Sequence, residues 1–224
     1  MQTGRRIRVL VVDDDEQIRE AYRRIFERHP EAELVGEVPD GAFAADAYAK
    51  HCPDVVLMDL QMPQVSGIDA TRQIIARWPD AVVVAMTTFG GREYVVGALR
   101  AGASGYLLKD AGAERMVMAL SQALAGEMPL SASVRRELVS TVVADEAAPA
   151  EHDLAPREHE LVRWLAHGLT NAQIATRMHL SEGSVKQYVA RIGTKLGVVS
   201  RTQILVRSIQ LGIVDPANLP PIQG

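Results

Sequence analysis

Aspartates end two short apolar segments in the N-terminal part of this 224-residue sequence. Asp13, Asp14 and Asp15 follow the segment 7–12, and Asp59 follows a second segment. Two carboxylates about 4 Å apart repel by about 4 kcal/mol at an effective dielectric constant of about 20, so a cluster of three is tolerable mainly with a hard divalent cation. Magnesium is the candidate cation, because it commonly accompanies a phosphoryl group in transfer.

Two further polar side chains, Thr87 and Lys109, end apolar segments later in this part of the chain. Each has a role available beside a phosphoryl group, since an ammonium group neutralises one phosphoryl oxygen and a hydroxyl group donates to another. Asp59 is a candidate phosphoryl acceptor, because carboxylates form acyl phosphates.

The elements that must position these residues alternate between short β-branched segments and longer amphipathic stretches. The predicted strands are 7–12, 34–38, 55–58, 82–86 and 105–108. The predicted helices are 16–28, 42–50, 67–77, 93–101 and 113–125, with Asp40 and Asp110 among their caps. Strands that are apolar throughout and separated by helices predict an α/β domain, a (βα)5 doubly wound parallel sheet covered on both faces. Ligands of such sheets lie at the carboxyl ends of the strands, where the residues above would meet.

A second, smaller domain is predicted after a linker. Residues 131–143 could continue as a helix, and residues 144–153 are small, acidic and proline-containing. Four short helical segments follow, 157–167, 171–178, 182–196 and 201–211, with polar starts at Thr170, Ser181 and Ser200. The predicted division is therefore an α/β domain over 1–126, a partly helical linker over 127–153, an all-α four-helix domain over 154–215 and a tail over 216–224.

Charge is divided unevenly along the chain. Residues 154–214 contain eight cations and three carboxylates, a net charge of +5, so the remainder carries −9 of the total of −4. The C-terminal part is therefore expected to approach a polyanion. No apolar run approaches the roughly 18 residues of a membrane span, and the N-terminus lacks the features of a signal peptide. We expect a cytoplasmic protein with no membrane partner.

The segments 171–178 and 182–196 form a predicted helix-turn-helix, whose second helix can enter the major groove of DNA. Spacing predicts that one face of this helix is buried and that its cations face outward. The residues predicted to be buried are Val185, Val189, Ile192 and Leu196. Cations alone are a weak signal, because many surface helices carry them.

Four motifs in the first half of the chain occur in a fixed order. They are VDD at 12–14, LMD at 57–59 followed by MP at 62–63 and Gly67, TT at 87–88, and GASGYLLK at 102–109. This pattern resembles the receiver domain of two-component systems and covers residues 7–126. The resemblance implies that a sensor histidine kinase phosphorylates Asp59, and that Asp13, Asp14, Asp59 and the Gln61 carbonyl hold Mg²⁺.

The same resemblance assigns roles to the ends of the last two strands. Lys109 would bind the phosphoryl group, and Thr87 and Tyr106 would form a switch. It also implies no enzymatic activity beyond Mg²⁺-dependent self-phosphorylation from a phosphodonor and self-dephosphorylation. Asp110 follows Lys109 where many receivers have proline.

A second resemblance covers residues 154–214. The motifs are LAPRE at 154–158, LAHGLTNAQIA at 165–175, SEGSVK at 181–186 and KLGV at 195–198. They are similar to the LuxR-type DNA-binding domain, and the whole chain resembles a NarL/FixJ-type response regulator. The resemblance implies binding to promoter DNA, with a homodimer when phosphorylated. It places Ser184, Lys186, Gln187, Ala190 and Arg191 against DNA, with Lys186 on the backbone. It places Arg201, Ile204, Leu205 and Leu211 on a dimer helix.

Two residues depart from the second pattern. Tyr188 stands where the family usually has histidine, and Gly193 stands where a larger apolar residue is usual. Because glycine inside a helix costs about 1 kcal/mol relative to alanine, we expect a locally looser recognition helix.

Two other functions remain open from the sequence. One is a DNA-binding transcriptional regulator that works without phosphorylation. The other is an aspartate-based phosphohydrolase, since the run 13–15 fits an Asp-x-Asp pair, although Gln17 is not the Thr or Val expected after it and the chain has no room for a cap domain.

Overall fold

The strands of the N-terminal part form one parallel sheet in the order β2-β1-β3-β4-β5. The computed structural model describes residues 5–87, 92–110, 112–127 and 153–215, with backbone alone at 92 and 93. The strands are β1 (Ile7–Val12), β2 (Ala32–Val38), β3 (Val55–Asp59), β4 (Val83–Thr87) and β5 (Gly105–Leu108). The (βα)5 prediction is confirmed. The predicted helix over 131–143, all but Asp153 of the acidic linker and the tail over 216–224 lie outside the described residues.

Helices cover both faces of the sheet. They are α1 (Glu16–Arg28), α2 (Ala44–His51), α3 (Gly67–Arg77), α4 (Arg92–Ala101) and α5 (Ala113–Leu124), with a 3-10 helix over Gly41–Phe43 before α2. Side chains of one strand alternate between the faces. Val9 and Val11 of β1 pack with Phe26 of α1 and Leu120 of α5. The intervening residues of β1 pack on the other face with α2 and α3. This two-sided burial is why the central strands β3 and β4 are almost wholly apolar, whereas the edge strand β2 is mostly half-buried and carries Glu33 and Glu37.

Helix caps agree with the sequence at most positions. Asp15 accepts a hydrogen bond from Gln17 N at the start of α1, and Asp40 accepts one from Ala42 N. The cap predicted at Asp110 is wrong, because α5 begins at Ala113 with Gly112 as its N-cap residue. The turn that follows β5 extends through Asp110, which lies three residues before the first residue of α5.

The C-terminal helices enclose their own core. They are α6 (Pro156–Ala166), α7 (Asn171–Met178), α8 (Glu182–Leu196) and α9 (Arg201–Gln210). Thr170, Ser181 and Ser200 cap α7, α8 and α9, as predicted. The core joins residues of all four helices, including Leu161, Ile174, Val185, Ile192, Leu196 and Ile204. No described helix is long and apolar enough to span a membrane.

Gly193 has a packing role in α8, and the local looseness expected there stays a prediction. The helix continues from Glu182 to Leu196 and ends at Gly197, which has φ +69°. The chain then folds back so that Val198 N donates to the Gly193 carbonyl at 2.9 Å. A Cβ atom on residue 193 would lie 2.7 Å from the Val198 carbonyl oxygen, so only glycine permits this return.

Helix α9 has two buried faces. Ile204 and Leu211, which follows the helix, pack in the core of the C-terminal helices. Leu205, Val206 and Ile209 pack instead in a cluster with α4 of the N-terminal part. The side-chain amide of Gln203 also donates to the Arg100 carbonyl of α4 at 3.1 Å. The two parts of the chain therefore meet along α4 and α9.

Candidate functional site

Lys109 holds two carboxylates together at the carboxyl edge of the sheet. Its ammonium nitrogen lies 2.7 Å from Asp13 Oδ2 and 3.1 Å from Asp59 Oδ2. Asp13 is fully buried and Asp59 is 4% exposed. Asp14 is exposed at the mouth of the pocket, and its carboxylate completes a group of three whose ligand atoms lie within 4.8 Å of one another. The sequence-predicted carboxylates and lysine thus form one pocket.

Burial dominates the electrostatics of this pocket. It raises the pKa of Asp59 to about 6, and the neighbouring charge of Asp13 adds to the rise while Lys109 opposes it. Burial also raises the pKa of Asp13. Burial alone would lower the pKa of Lys109, but its contacts with Asp13 and Asp59 outweigh this effect and raise it.

The donor set fits a hard divalent cation. Three carboxylates share a pocket in which Lys109 is the one described cation that forms an ion pair with them, so carboxylate oxygens outnumber the cationic groups that contact them. Carboxylate and carbonyl oxygens are the ligands that Mg²⁺ prefers, usually with several retained waters. The exposed position of Asp14 leaves one side open for those waters and for a phosphodonor.

The loop after β3 is held against the pocket by backbone contacts. Asp40 accepts hydrogen bonds from Gln64 N and Val65 N, both at 3.0 Å, in addition to its cap bond. At the start of α3, Gly67 packs directly on the Asp59 carbonyl. A Cβ atom there would lie 1.8 Å from the carbonyl oxygen. Sequence reasoning assigned Asp40 only a capping role, because its partners are 24 and 25 residues away.

Gln61 connects Asp59 to α4. Its backbone N–H donates to the Asp59 carboxylate, and its side-chain amide donates to the Tyr94 hydroxyl at 2.9 Å. The structure thus places the backbone N–H of Gln61 against Asp59, and the metal contact predicted for its carbonyl stays a prediction. Tyr94 was missed, since nothing in its local sequence distinguishes it from other surface tyrosines.

The predicted switch residues are buried in the two strands β4 and β5. Thr87 ends β4 and is 1% exposed, and its carbonyl accepts a hydrogen bond from Lys109 N at 2.8 Å. Tyr106 is 1% exposed and packs in the same cluster as Leu205 of α9. Tyr106 was predicted as a switch residue, but its position beside the α4–α9 contact could not be predicted from sequence.

Arg19 is a further residue that the sequence analysis missed. Its guanidinium donates to the carbonyl oxygens of Asp13 at 2.7 Å and Asp14 at 3.0 Å. These bonds fix the backbone that carries both carboxylates. Its spacing could have indicated this role, because Arg19 lies one helical turn after Asp15, the N-cap residue of α1, and can therefore reach back to the chain before the helix.

A second candidate site is the exposed face of α8. Lys186, Gln187, Ala190 and Arg191 are exposed, and Val185 and Ile192 on the opposite face are fully buried. The predicted orientation is confirmed at these positions, but Val189 is only half-buried, and the Lys195 ammonium group lies 2.8 Å from the buried Glu158 carboxylate instead of facing outward. Ser184 is half-buried, and its hydroxyl shares a 2.9 Å hydrogen bond with that of Ser181. No described part of the N-terminal domain has a hydrogen bond or ion pair to these α8 residues.

An ion pair with a buried carboxylate fixes the far end of α8. Lys195 Nζ lies 2.8 Å from Glu158 Oε2, and the Glu158 side chain is 2% exposed. Glu158 also accepts a hydrogen bond from Ala155 N at the start of α6. Burial would raise the pKa of Glu158, but these contacts lower it. The pair ties α8 to α6 and so fixes the direction of the exposed face.

The residues predicted for a dimer helix are covered in this arrangement. Ile204 and Leu211 lie in the C-terminal core, and Leu205 faces α4. Arg201 donates to Asn171 Oδ1 at 2.8 Å and to the Leu169 carbonyl. Burial lowers the pKa of Arg201 to about 10. A dimer through α9 would therefore need the face that α4 now occupies.

Comparison with known families gives two matches along the chain. The response regulator receiver domain matches residues 9–121, and the luxR family of bacterial regulatory proteins matches residues 152–208. Their order and extents agree with the two folded parts described above.

Similar proteins match over nearly the whole chain. The transcriptional regulatory protein DegU of Brevibacillus brevis is 34% identical over 225 residues, covering 93% of this chain and 95% of DegU. The nitrate/nitrite response regulator protein NarL of Escherichia coli (strain K12) is 32% identical over 200 residues, covering 88% of this chain and 93% of NarL. The crystal structure of the response regulator ChrA from a haem-sensing two-component system has a TM-score of 0.52 and 32% identity. That likeness covers 93% of this chain and 99% of ChrA.

Proposed function

The chain belongs to the two-component response regulators that join a receiver domain to a luxR-type DNA-binding domain, and from this premise we propose that phosphorylation of Asp59 controls its binding to promoter DNA. Proteins of this family are transcription factors. The observation that carries the proposal is the pocket in which Lys109 contacts both Asp13 and Asp59.

In the proposed reaction a sensor histidine kinase supplies the phosphoryl group. An Asp59 carboxylate oxygen forms the new bond to phosphorus, and the bond from phosphorus to the donor breaks. Asp13, Asp14, Asp59 and the Gln61 carbonyl would hold Mg²⁺, which supplies positive charge to the phosphoryl oxygens. Lys109 would neutralise one of those oxygens, and the Thr87 hydroxyl would donate to another.

The contact between α4 and α9 supports a route from the pocket to DNA. Tyr106 shares a cluster with Leu205, Val206 and Ile209 of α9, and Gln61 links Asp59 to α4 through Tyr94. We expect the phosphoryl group to draw Thr87 toward itself and to change the surface of α4. Release of α9 would then expose the face needed for a homodimer. The cation-bearing face of α8 is already exposed, so the proposed control acts on dimerisation.

The first test is phosphorylation by a small donor. The full-length protein is incubated with acetyl phosphate and Mg²⁺, and intact mass is compared with that of Asp59→Ala and of wild type in EDTA. We expect one phosphoryl group on the wild type with Mg²⁺ only, and a larger apparent size in gel filtration. Equal labelling of Asp59→Ala would refute Asp59 as the acceptor.

The second test follows the α4–α9 contact by hydrogen exchange. We expect exchange over residues 92–101 to rise when wild type is treated with beryllofluoride and Mg²⁺, and to stay unchanged in Asp59→Ala. Opening of a packed contact exposes backbone amides to solvent, which is why exchange reports it. Unchanged exchange in a protein that carries the adduct would contradict the release step.

The competing function is a regulator that binds DNA without phosphorylation. It predicts the same promoter affinity for wild type, for the beryllofluoride adduct and for Asp59→Ala. The proposed switch predicts tighter binding by the adduct alone. A complete shift from 1:99 to 99:1 in favour of the binding form would need about 5.5 kcal/mol of differential stabilisation.

A further inference from the structure

Tyr188 occupies a position on α8 that the proposed DNA contacts do not use. Its ring is half-buried and packs against the core of the C-terminal helices, next to the exposed face. Tyr188 lies one turn before Arg191, so the two side chains fall on the same side of the helix. The guanidinium carbon of Arg191 lies 5.2 Å from the centre of the Tyr188 ring. This distance is within the range of a cation–π interaction.

The surroundings of Arg191 leave its donors available. No described carboxylate forms an ion pair with it, and the nearby Glu158 is already paired with Lys195 at 2.8 Å. Arg191 itself is exposed. A guanidinium group held against a ring face keeps N–H donors at its own edge, and these donors match the O6 and N7 acceptors of guanine in the major groove.

We infer that Tyr188 is a positioning residue for DNA recognition, which holds the Arg191 guanidinium over its ring so that Arg191 reads a guanine. This inference rests on the proposed role of α8 in DNA binding. A ring anchored in the core has little freedom, and an arginine restrained by it loses less rotamer freedom when it binds a base. Tyr188 therefore adds base preference at one position of each half-site without a DNA contact of its own.

The test is selection from a pool of duplex DNA with about 20 randomised base pairs, which can hold two half-sites one helical turn apart. The full-length protein carries beryllofluoride and Mg²⁺. We expect wild type to prefer guanine at one position per half-site by about 5- to 100-fold, and Arg191→Ala to lose this preference. Tyr188→Leu should reduce the preference at that position by about 2- to 5-fold, whereas Tyr188→Phe should retain it, because the ring face remains.

Lys186→Ala is the matched control, since it removes a cation from the same exposed face. It should weaken binding to all sequences alike and leave the guanine preference intact. The inference is overturned if Tyr188→Leu keeps the full preference that Arg191→Ala loses, or if Arg191→Ala keeps it. Failure of wild type to bind any duplex in the pool would overturn the proposed DNA-binding role of α8 together with the inference. Binding by wild type without any guanine preference would overturn the inference alone.

Discussion

The phosphorylation pocket and the exposed face of α8 are built in opposite ways. In the pocket, Asp13 and Asp59 are buried and each contacts Lys109, so the position of every group depends on the others. On α8, Lys186 and Arg191 lie on the exposed face, opposite the buried residues of the same helix. The pocket is thus fixed by contacts between distant segments, whereas the α8 face is fixed by helical spacing and by how α8 is anchored.

This difference has consequences for substitution. A change in the pocket must disturb the packing or the charge balance of the whole N-terminal domain. A change on the exposed face of α8 should alter binding and leave stability nearly unchanged. Four substitutions test this contrast.

The largest effect is expected for Gly67→Ala. The added Cβ atom would lie 1.8 Å from the Asp59 carbonyl oxygen and 2.9 Å from Leu60 Cα, so the backbone of the pocket must move. We expect the free energy of unfolding to fall by about 3 kcal/mol or more. Gly183→Ala is the control, because its Cβ atom would meet only Ser181 Oγ at 3.7 Å. Urea unfolding of both variants gives the comparison, and equal stabilities would contradict the crowding at Gly67.

Glu158→Gln should have the next largest effect, because it tests the anchor of α8. The amide keeps an acceptor for Ala155 N but leaves the Lys195 ammonium without its buried counter-charge. We expect the free energy of unfolding to fall by about 2 kcal/mol. The exposed pair Arg72–Asp69 provides the control, and Arg72→Ala should cost less than about 1 kcal/mol. Similar losses in the two variants, measured by urea unfolding, would mean that burial adds nothing to the Glu158 pair.

Asp59→Asn should stabilise the metal-free protein. The pKa of Asp59 is about 6 in the fold against an ordinary 3.8, so ionisation of Asp59 costs folding free energy as the pH rises through that interval. We expect Asp59→Asn to raise the free energy of unfolding by about 1–2 kcal/mol near pH 7 in EDTA. The gain should shrink as the pH falls toward about 4, where Asp59 is protonated in the folded protein. A gain that is constant across this range would contradict the charge argument.

The smallest effect is expected for Lys186→Ala. Loss of an exposed cation should leave thermal stability unchanged and weaken binding to a duplex of arbitrary sequence several-fold. The slope of log affinity against log salt should fall by about one for each bound protomer. Lys50→Ala, an exposed cation of α2, makes the same charge change far from α8. Equal salt slopes for the two variants in fluorescence anisotropy would refute a DNA contact by Lys186.

The fold could be predicted from sequence because its central strands β3 and β4 are apolar on both faces and its helices are amphipathic. The pocket could be predicted for a related reason. Asp13, Asp59 and Lys109 each follow or end a parallel strand, and the carboxyl ends of adjacent strands meet at one edge. In both cases a local pattern and a general rule of sheet topology were sufficient.

Residues whose roles depend on distant partners could not be predicted in this way. Asp40 has the local sequence of a cap, and only the fold brings Val65 N to its carboxylate. From the sequence alone, Gly193 only weakens a helix. Its packing role depends on the Val198 carbonyl, which the chain brings back against α8 after Gly197. Leu205 and Ile204 are adjacent aliphatic residues, yet one packs against α4 and the other in its own domain. Tertiary packing makes that distinction, and the spacing of apolar residues along the helix does not predict it.

The two-faced helix α9 makes the receiver domain a tethered competitor. Because α4 and α9 belong to one chain, each α9 encounters its own α4 at an effective concentration of about the millimolar range, whereas a second protomer is present only at its bulk concentration. An α4–α9 contact whose dissociation constant lies below that effective concentration would therefore compete with a dimer that uses the same face. A modest loss of affinity between α4 and α9 would be amplified into a large change in the dimer population, and its size would depend on how much of the protein the cell contains.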